Sequence, residues 1–235
     1  MKESIRYFDC FAGIGGFHCG AQKINNPKFD FKHVAYCEID KYAQAFYDVA
    51  CAAEDTQKIQ DVTQIKTFKN PDGIEVAAFD MLFAGFPCQS FSNVGYRKGF
   101  DDPRGQLFFY ILDMLDYYKP NYFVLENVQK IHTIKNGGLL AEMEKALREI
   151  GDGYVLNTWE LLASDYGLPQ KRNRIFFCGI KKSLAKHESL QAPPKKKLED
   201  AEYPTTWHLL EKGEVDPRHY ISAGSRKTIL RKPDN

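Results

Sequence analysis

The chain has 235 residues, of which 43% are hydrophobic and 27% charged, and its formal net charge is +1. This length and composition are typical of one large globular domain or two small ones, and they exclude disordered, collagen-like and coiled-coil chains. The near-zero charge excludes a uniformly basic nucleic-acid binder. No run approaches the roughly 18 apolar residues of a membrane span, and the first residues lack a signal-peptide core. We therefore expect a soluble intracellular protein.

Charge is unevenly distributed along the chain. Residues 181–235 hold 12 Lys and Arg against 8 Asp and Glu. This concentration favours contact with a polyanion at the C-terminal end. A solvated charged tail explains it equally well.

Strand-like and helix-like runs alternate through most of the sequence, a pattern typical of parallel β-α units. A first apolar strand over residues 4–11 leads into a glycine turn and a helix that continues to about residue 24. A second strand over residues 33–38 precedes a helix that begins at Asp40. The later predicted elements are a strand at 80–84, a helix at 105–118, a strand at 122–125, a helix at 139–150, and strands at 158–162 and 174–180.

The last two strands are predicted to pair antiparallel, because only about a dozen residues separate them and no crossover helix fits. The sequence therefore predicts an α/β fold over residues 1–180, a doubly wound, mostly parallel sheet with an antiparallel closing strand. Beyond residue 180 the alternation stops.

Four polar or glycine-rich segments fall at predicted strand ends, at residues 13–16, 38–40, 85–90 and 126–127. In open α/β sheets, ligands bind outside the carboxyl ends of the strands. These segments are far apart in sequence, yet this topology gathers them along one edge. The sequence thus predicts a ligand site at that edge.

The glycine turn, Gly13-Ile14-Gly15-Gly16, would let a ligand approach the backbone at a helix N-terminus. Glu38 lies 22 residues after Gly16, the position of an acidic residue that binds a ribose diol. Dinucleotides and adenosyl cofactors both suit this geometry. The alternative is a tight turn that holds no ligand.

Cys88 is the candidate nucleophile, because it follows Pro87 in a turn-rich segment, whereas the other five cysteines lie in or beside apolar stretches. Its candidate partners are Glu126 and the pair Arg172 and Arg174. Glu126 could instead be a helix-capping carboxylate. No histidine falls at the four strand ends, which disfavours a Cys/His hydrolase. No Cys-x-x-Cys or zinc-finger spacing occurs, so no metal is predicted.

Taken in chain order, these motifs resemble the cytosine-5 DNA methyltransferases of bacteria and phages, from about residue 6 to about residue 180. The matching motifs are Asp9-x-Phe11-Ala12-Gly13-Ile14-Gly15-Gly16-Phe17, Glu38-x-Asp40, Gly85-Phe86-Pro87-Cys88-Gln89-Ser90-Phe91-Ser92, Glu126-Asn127-Val128 and Gln170-Lys171-Arg172-Asn173-Arg174. The resemblance implies a Rossmann-like fold of the class I S-adenosylmethionine-dependent methyltransferases.

It also implies transfer of a methyl group from S-adenosyl-L-methionine to C5 of cytosine in double-stranded DNA, which leaves S-adenosyl-L-homocysteine. By this resemblance Cys88 attacks C6 of a flipped base, Glu126 contacts the Watson–Crick edge, and Arg172 and Arg174 support that site. The residues implied to bind the cofactor are Phe11, Ala12, Gly13, Ile14, Gly15, Gly16, Glu38, Ile39, Asp61, Val62, Pro87 and Leu107. Those implied to lie on a DNA-facing loop are Gln89, Ser90 and Ser92.

Complete members of that family continue into a target-recognition domain and then return to the catalytic domain. Residues 1–180 are therefore predicted to be the catalytic domain, and residues 181–235 a linker and the start of a truncated target-recognition domain. A split enzyme, with a second polypeptide that supplies recognition, and a degraded or regulatory relative remain open. The alternative functions are an RNA (tRNA) cytosine-5 methyltransferase and a non-catalytic DNA-binding or subunit-docking relative. The implied location is the bacterial cytoplasm or nucleoid.

Overall fold

A computed structural model describes residues 2–51, 55–87, 107–187, 189–196 and 213. The strands of this part are β1 (Glu3–Cys10), β2 (Phe29–Cys37), β3 (Gln57–Ile59), β4 (Met81–Gly85), β5 (Tyr122–Val128), β6 (Tyr154–Leu162) and β7 (Asn173–Lys181). The helices are α1 (Gly16–Gln22), α2 (Lys41–Ala50), α3 (Leu107–Tyr118) and α4 (Gly138–Glu149).

The seven described strands form one sheet in the order β3-β2-β1-β4-β5-β7-β6. Strands β1 to β5 pair parallel, and β7 runs antiparallel to both β5 and β6. The chain winds outward from β1 to β3 and then continues on the other side of β1 with β4. This reversal makes the gap between β1 and β4 a topological switch point. The predicted doubly wound sheet with an antiparallel strand is confirmed.

The predicted elements are present with shifted ends. Strands β2 and β6 each begin four residues before their predicted starts, at Phe29 and Tyr154. Helix α2 follows Asp40, whose carboxylate caps it by accepting hydrogen bonds from the backbone N–H groups of Tyr42 and Ala43. Strand β3 was not predicted, because three residues are too few to show a periodicity.

Side chains alternate between the two faces of the sheet along each strand. Both faces carry apolar side chains, and helices pack against both. On one face, Phe8 of β1 and Leu82 of β4 join a core cluster with residues of α3 and α4. On the other face, Tyr7 of β1 packs with Ala21 of α1, while Tyr36 of β2 packs with Tyr47 of α2. The carboxyl ends of β1, β2 and β4 therefore lie at the edge of the sheet between these helix layers.

Close packing of two strands requires glycine at position 179. Gly179 of β7 pairs with Phe123 of β5, and a Cβ there would lie 2.3 Å from the Phe123 ring. We expect Gly179→Ala to lower the free energy of unfolding by about 2–3 kcal/mol through overpacking, as measured by urea denaturation. Gly20→Ala is the matched control, because a Cβ at Gly20 in α1 meets open space. That change should stabilise the protein by about 0.5–1 kcal/mol. Equal effects of the two substitutions would contradict the packing argument.

The chain divides into two compact units, residues 1–162 with 172–194, and residues 163–171 with 195–235. In the second unit, Tyr166 and Lys196 form an isolated β-bridge, and Lys195 Nζ lies 2.7 Å from Asp165 Oδ2. The predicted recognition segment beyond residue 196 lies outside the described residues, apart from Gly213. The domain boundary at residue 180 stays a prediction. No helix in the described ranges is long and apolar enough to cross a membrane.

Candidate functional site

The glycine turn connects β1 to α1 in a conformation that suits glycine. Gly13 and Gly15 have φ values of 54° and 88°, in the left-handed region, and Phe11 shares that region at 56°. A Cβ at Gly15 would lie 2.6 Å from Sγ of Cys51, whereas Cβ atoms at Gly13 and Gly16 would meet open space. The turn is thus packed against the protein interior at Gly15, whereas Gly13 and Gly16 face open space. This arrangement would suit a bound ligand.

Glu38 lies beside this turn and is held in place by backbone groups. The Gly13 N–H donates to Oε2 at 2.8 Å, and the Asp40 N–H donates to Oε1 at 2.8 Å. The side-chain amide of Gln44 donates to the Glu38 carbonyl oxygen. A carboxylate oriented in this way can accept further hydrogen bonds from vicinal hydroxyl groups at the edge of the sheet.

Two exposed apolar side chains belong to these segments, Ile14 within the glycine turn and Ile39 directly after Glu38. Ile14 is 62% exposed and Ile39 is 68% exposed. At the next strand end, Asp61 caps a short 3-10 turn by accepting from the Thr63 N–H at 2.9 Å, and Val62 is buried. Register places these residues near Glu38, because Cys37 and Ile59 are paired as the last residues of β2 and β3.

Glu126 lies within β5. The sequence had predicted that it follows the end of this strand. Pairing with β7 extends the strand through Val128, so that Glu126 lies opposite both Gly85 of β4 and Phe176 of β7. The partner strand supplies backbone hydrogen bonds to a polar segment that carries no strand pattern of its own. The prediction that Glu126 follows the strand was therefore wrong, because the strand ends three residues later than predicted.

Two arginines lie against the Glu126 carboxylate. Arg174 Nε lies 2.7 Å from Oε1, and Arg172 Nη2 lies 3.8 Å from the same oxygen. The Arg174 Nε–H is not aligned for a hydrogen bond to that oxygen, so the contact is an ion pair. Arg174 Nη1 donates to the Asn173 carbonyl at 2.8 Å. Because β7 runs antiparallel, its first residues reach the edge where the parallel strands end.

Asn127 fixes the segment that leaves β4. It is 1% exposed, and its Nδ2 donates to the Phe86 carbonyl at 3.1 Å. Its Oδ1 accepts from the Val128 N–H at 2.8 Å. The amide thereby holds the exit of β4 beside Glu126. Sequence reasoning named Asn127 in a motif but missed this role, and the signal for it was a buried polar residue after an apolar run.

Some of the predicted site residues lie at or beyond the limits of the described ranges. Pro87 is the last described residue before Cys88, and Leu107, the first residue of α3, is half-buried. Cys88 and the loop residues Gln89, Ser90 and Ser92 lie outside the described residues. Among the residues that the structure does describe, no group of three or more His, Cys, Asp and Glu could hold a metal ion.

Beneath the glycine turn lies a hydrogen-bonded series of side chains that could not be seen in the sequence. We call it the Asp9 chain, and it consists of the buried Asp9 and Tyr47 and the half-buried His33 and Thr56. The Tyr47 hydroxyl lies 3.1 Å from Asp9 Oδ2 and 3.1 Å from His33 Nε2. The Thr56 hydroxyl lies 3.3 Å from His33 Nδ1. Burial raises the pKa of Asp9 to about 8 and lowers the pKa of His33 to about 4. Both side chains are therefore mainly neutral at pH 7.

A mainly parallel sheet with this switch point, a glycine turn after β1 and an antiparallel β7 defines the Rossmann-like fold of the class I methyltransferases. One solved structure of this fold is a candidate DNA modification methyltransferase encoded within a prophage of E. coli. It matches with a TM-score of 0.59 and 29% identity, over 77% of this chain and 47% of that chain. A DNMT2 of Spodoptera frugiperda matches with a TM-score of 0.63 over 91% of this chain and 61% of its own, and at 19% identity the likeness is one of fold alone.

The profile of the family described as C-5 cytosine-specific DNA methylase matches residues 5–233. The chain therefore belongs to this family. It is 35% identical to the type II methyltransferase M.HaeII of Haemophilus aegyptius over 227 residues, which are 97% of this chain and 64% of that protein. It is also 35% identical to M.HhaI of Haemophilus parahaemolyticus, over 77% of this chain and 50% of that protein. The chain thus spans about half the length of these relatives. Family membership implies S-adenosyl-L-methionine as the methyl donor.

Proposed function

We propose that this protein transfers the methyl group of S-adenosyl-L-methionine to C5 of cytosine in duplex DNA, through a covalent bond between Cys88 and C6 of a flipped base. The observation that carries this proposal is the pairing of Gly85 with Glu126. This pairing sets the Glu126 carboxylate beside the β4 exit that leads, through Pro87, into Cys88. We infer that the nucleophile and its carboxylate partner act at this one edge.

The chemistry explains why these residue types are needed. C5 of cytosine is a poor nucleophile until the Cys88 thiolate adds to C6, while Glu126 hydrogen-bonds or protonates N3. C5 then has enamine character and takes the methyl group, after which loss of the C5 proton and elimination of the thiol restore the ring. Arg174, 2.7 Å from Glu126, keeps that carboxylate oriented. The bound cofactor supplies an electrophilic methyl group on a positively charged sulfur.

The glycine turn and its neighbours fit this cofactor. The open space above Gly13 and Gly16 admits the methionine part against the backbone of the turn. We assign the ribose hydroxyls to Glu38, whose carboxylate is already held by two backbone N–H groups. The exposed side chain of Ile39 suits the adenine ring. The remaining cofactor contacts are assigned to Phe11, Ala12, Ile14, Gly15, Asp61, Val62, Pro87 and Leu107.

A cytosine within a duplex cannot reach this edge, so the base must leave the helix at a cost of a few kcal/mol in stacking and pairing. We assign Gln89, Ser90 and Ser92 to the loop that closes over the flipped base. Choice of a target sequence is proposed to need residues beyond the catalytic edge, on the same or on a second polypeptide. The relatives contain such additional length.

The test is trapping on a long PCR product in which 5-fluorocytosine replaces cytosine, because the target sequence is unknown and a long product samples many sites. The full chain with S-adenosyl-L-methionine should form a protein–DNA adduct that survives denaturing electrophoresis. Parallel arms use tRNA that contains 5-fluorocytosine, and the DNA without cofactor. An adduct with tRNA only would redirect the proposal to RNA. No adduct with either, even after addition of a complementing fragment from a relative, would overturn it.

Glu38→Ala is expected to weaken binding of S-adenosyl-L-methionine by about 10–100-fold, because hydrogen bonds to a charged group contribute about 1.5–3 kcal/mol each. Isothermal titration calorimetry on the full chain measures the loss. Glu3→Ala removes an exposed carboxylate at the opposite, amino end of β1, and it should leave the affinity unchanged. Equal affinities of Glu38→Ala and wild type would remove Glu38 from the cofactor site.

A further inference from the structure

The Asp9 chain lies directly beneath the glycine turn. Asp9 is the next-to-last residue of β1 and is 0% exposed. Its Oδ1 has no hydrogen-bond partner of good geometry, and the backbone N–H of His18 interacts with the carboxyl group. The ring of Tyr47 supports the turn itself, because a Cβ at Gly15 would lie 3.3 Å from Tyr47 Cε2. One tyrosine therefore contacts both the turn and the buried carboxyl group.

The three hydrogen bonds of the Asp9 chain can run in either of two directions. With Asp9 ionised, the Tyr47 hydroxyl donates to Asp9, His33 Nε2–H donates to Tyr47, and the Thr56 hydroxyl donates to His33 Nδ1. With Asp9 protonated on Oδ2, each of the three bonds reverses, and His33 carries its hydrogen on Nδ1 instead. Both arrangements satisfy the distances of 3.1, 3.1 and 3.3 Å. The polarity of the chain is thus set by the protonation state of Asp9.

Burial favours the neutral acid and outweighs the hydrogen bonds from Tyr47 and from the His18 backbone, which favour the carboxylate. The described titratable groups around Asp9 belong to β1, α1, β2, α2 and the residues that directly follow β2 and α2. They are Tyr7, Cys10, His18, His33, Glu38, Tyr47 and Cys51. None of them supplies a nearby positive charge, because burial lowers the pKa of both His18 and His33. Glu38 adds a negative charge. A cation that arrived at the turn would therefore be the missing counter-charge.

We propose that Asp9 determines the preference of the cofactor site for a positively charged cofactor over a neutral one, by losing a proton when the cation binds at the glycine turn. This inference rests on the proposed function, in which S-adenosyl-L-methionine binds there. The sulfonium group of that cofactor carries a positive charge that S-adenosyl-L-homocysteine lacks. Asp9 acts as a positioning residue through Tyr47, which supports the turn.

The proton balance is explicit. Neutral Asp9 and the sulfonium cofactor give the Asp9 carboxylate, the bound cation and one proton released to the buffer. S-adenosyl-L-homocysteine has the same α-ammonium and α-carboxylate but no sulfonium, so it leaves Asp9 mostly protonated and releases fewer protons. After methyl transfer removes the positive charge, Asp9 takes a proton from solvent. The neutral acid no longer stabilises a cation, so the next cationic cofactor displaces the product with release of a proton.

Calorimetry in buffers of different ionisation enthalpy counts these protons for the full chain. Near pH 7, S-adenosyl-L-methionine should release between about half and one proton more than S-adenosyl-L-homocysteine. The affinity ratio in favour of the cation should rise about tenfold between about pH 6.5 and about pH 8.5, and then level off as Asp9 ionises without ligand. Asp9→Asn should abolish both effects. A purely structural Asp9 would weaken both ligands equally without a change in the proton count.

Asp48→Asn is the matched control. Asp48 lies next to Tyr47 on α2, but it is paired with Lys58 at 2.8 Å, which helps hold its pKa below the ordinary range. Because it is already ionised, its replacement should leave the proton count unchanged. Equal proton release for the two cofactors in wild type would overturn the inference and leave the proposed function standing. Failure of both cofactors to bind would overturn the proposed cofactor site, and this inference with it.

The direction of the hydrogen bonds in the Asp9 chain can be measured without any cofactor. In ¹⁵N NMR of the full chain, His33 should remain neutral from about pH 6 to about pH 9. Its hydrogen should move from Nδ1 to Nε2 with a midpoint near pH 8, the value to which burial raises the pKa of Asp9. Tyr47→Phe should uncouple the His33 tautomer from that titration. A His33 tautomer that is constant with pH in wild type would contradict the coupling of His33 to Asp9 through Tyr47.

Discussion

Cys88→Ser is expected to abolish the covalent adduct with duplex DNA that contains 5-fluorocytosine. A serine hydroxyl is almost never ionised near neutral pH, so it adds to C6 far more slowly than a cysteine thiolate does. Fluorine at C5 cannot leave as the proton does, and the intermediate is therefore trapped in the wild-type protein. We expect no adduct from the serine variant, while its affinity for S-adenosyl-L-methionine stays within about twofold of wild type.

Cys19→Ser is the control for this experiment, because Cys19 is an exposed cysteine of α1. It should form the adduct at the wild-type rate, which shows that a reactive surface thiol is not the source of the signal. Glu38→Ala should give the opposite pattern to Cys88→Ser. Its cofactor affinity falls while the nucleophile stays intact. Adduct formation by the serine variant would remove Cys88 from the role of nucleophile.

Glu126→Gln is expected to slow methyl transfer by about 10²–10⁴-fold, the range that a positioned acid or base contributes. Glutamine can still hydrogen-bond to N3, but it cannot deliver a proton. It also leaves Arg174 without the carboxylate that lies 2.7 Å from its Nε. Single-turnover transfer of a tritiated methyl group to unmethylated DNA measures the loss.

The control for Glu126 is Glu149→Gln, which changes an exposed carboxylate at the last position of α4. Its single-turnover rate should equal that of wild type. Cofactor affinity should be unchanged in both variants, because neither residue is assigned to the cofactor. A rate for Glu126→Gln within about threefold of wild type would show that this carboxylate does not take part in proton transfer.

Two kinds of residue in this protein differ in how far local sequence determines their position. Glu38 and the glycine turn could be placed at the edge from local pattern alone, because residues that come directly after a strand in sequence also lie at its end in space. The end of β5 could not, because Glu126 and Asn127 become strand residues only through pairing with β7. The roles of Cys88, Gln89, Ser90 and Ser92 stay predictions, since these residues lie outside the described ranges.

The Asp9 chain shows more clearly what a local sequence pattern cannot predict. Asp9 is part of the motif that carried the family resemblance, yet nothing in the sequence linked it to Tyr47 or His33. These residues meet because α2 packs against β1 and β2, and their hydrogen bonds connect positions 38 and 14 residues apart. A local pattern cannot report a pairing made by tertiary packing.

The sequence by itself determined the β-α alternation, the family and the candidate reacting groups, because hydrophobic period and short motifs are properties of contiguous residues. Only the tertiary structure decided which groups interact. It brought Arg174 to Glu126, the Gly13 N–H to Glu38 and the Asn127 amide to Phe86. The physical reason is that hydrogen bonds and ion pairs act over a few ångströms. Residues far apart in sequence reach that range only when the sheet order and the helix packing are complete.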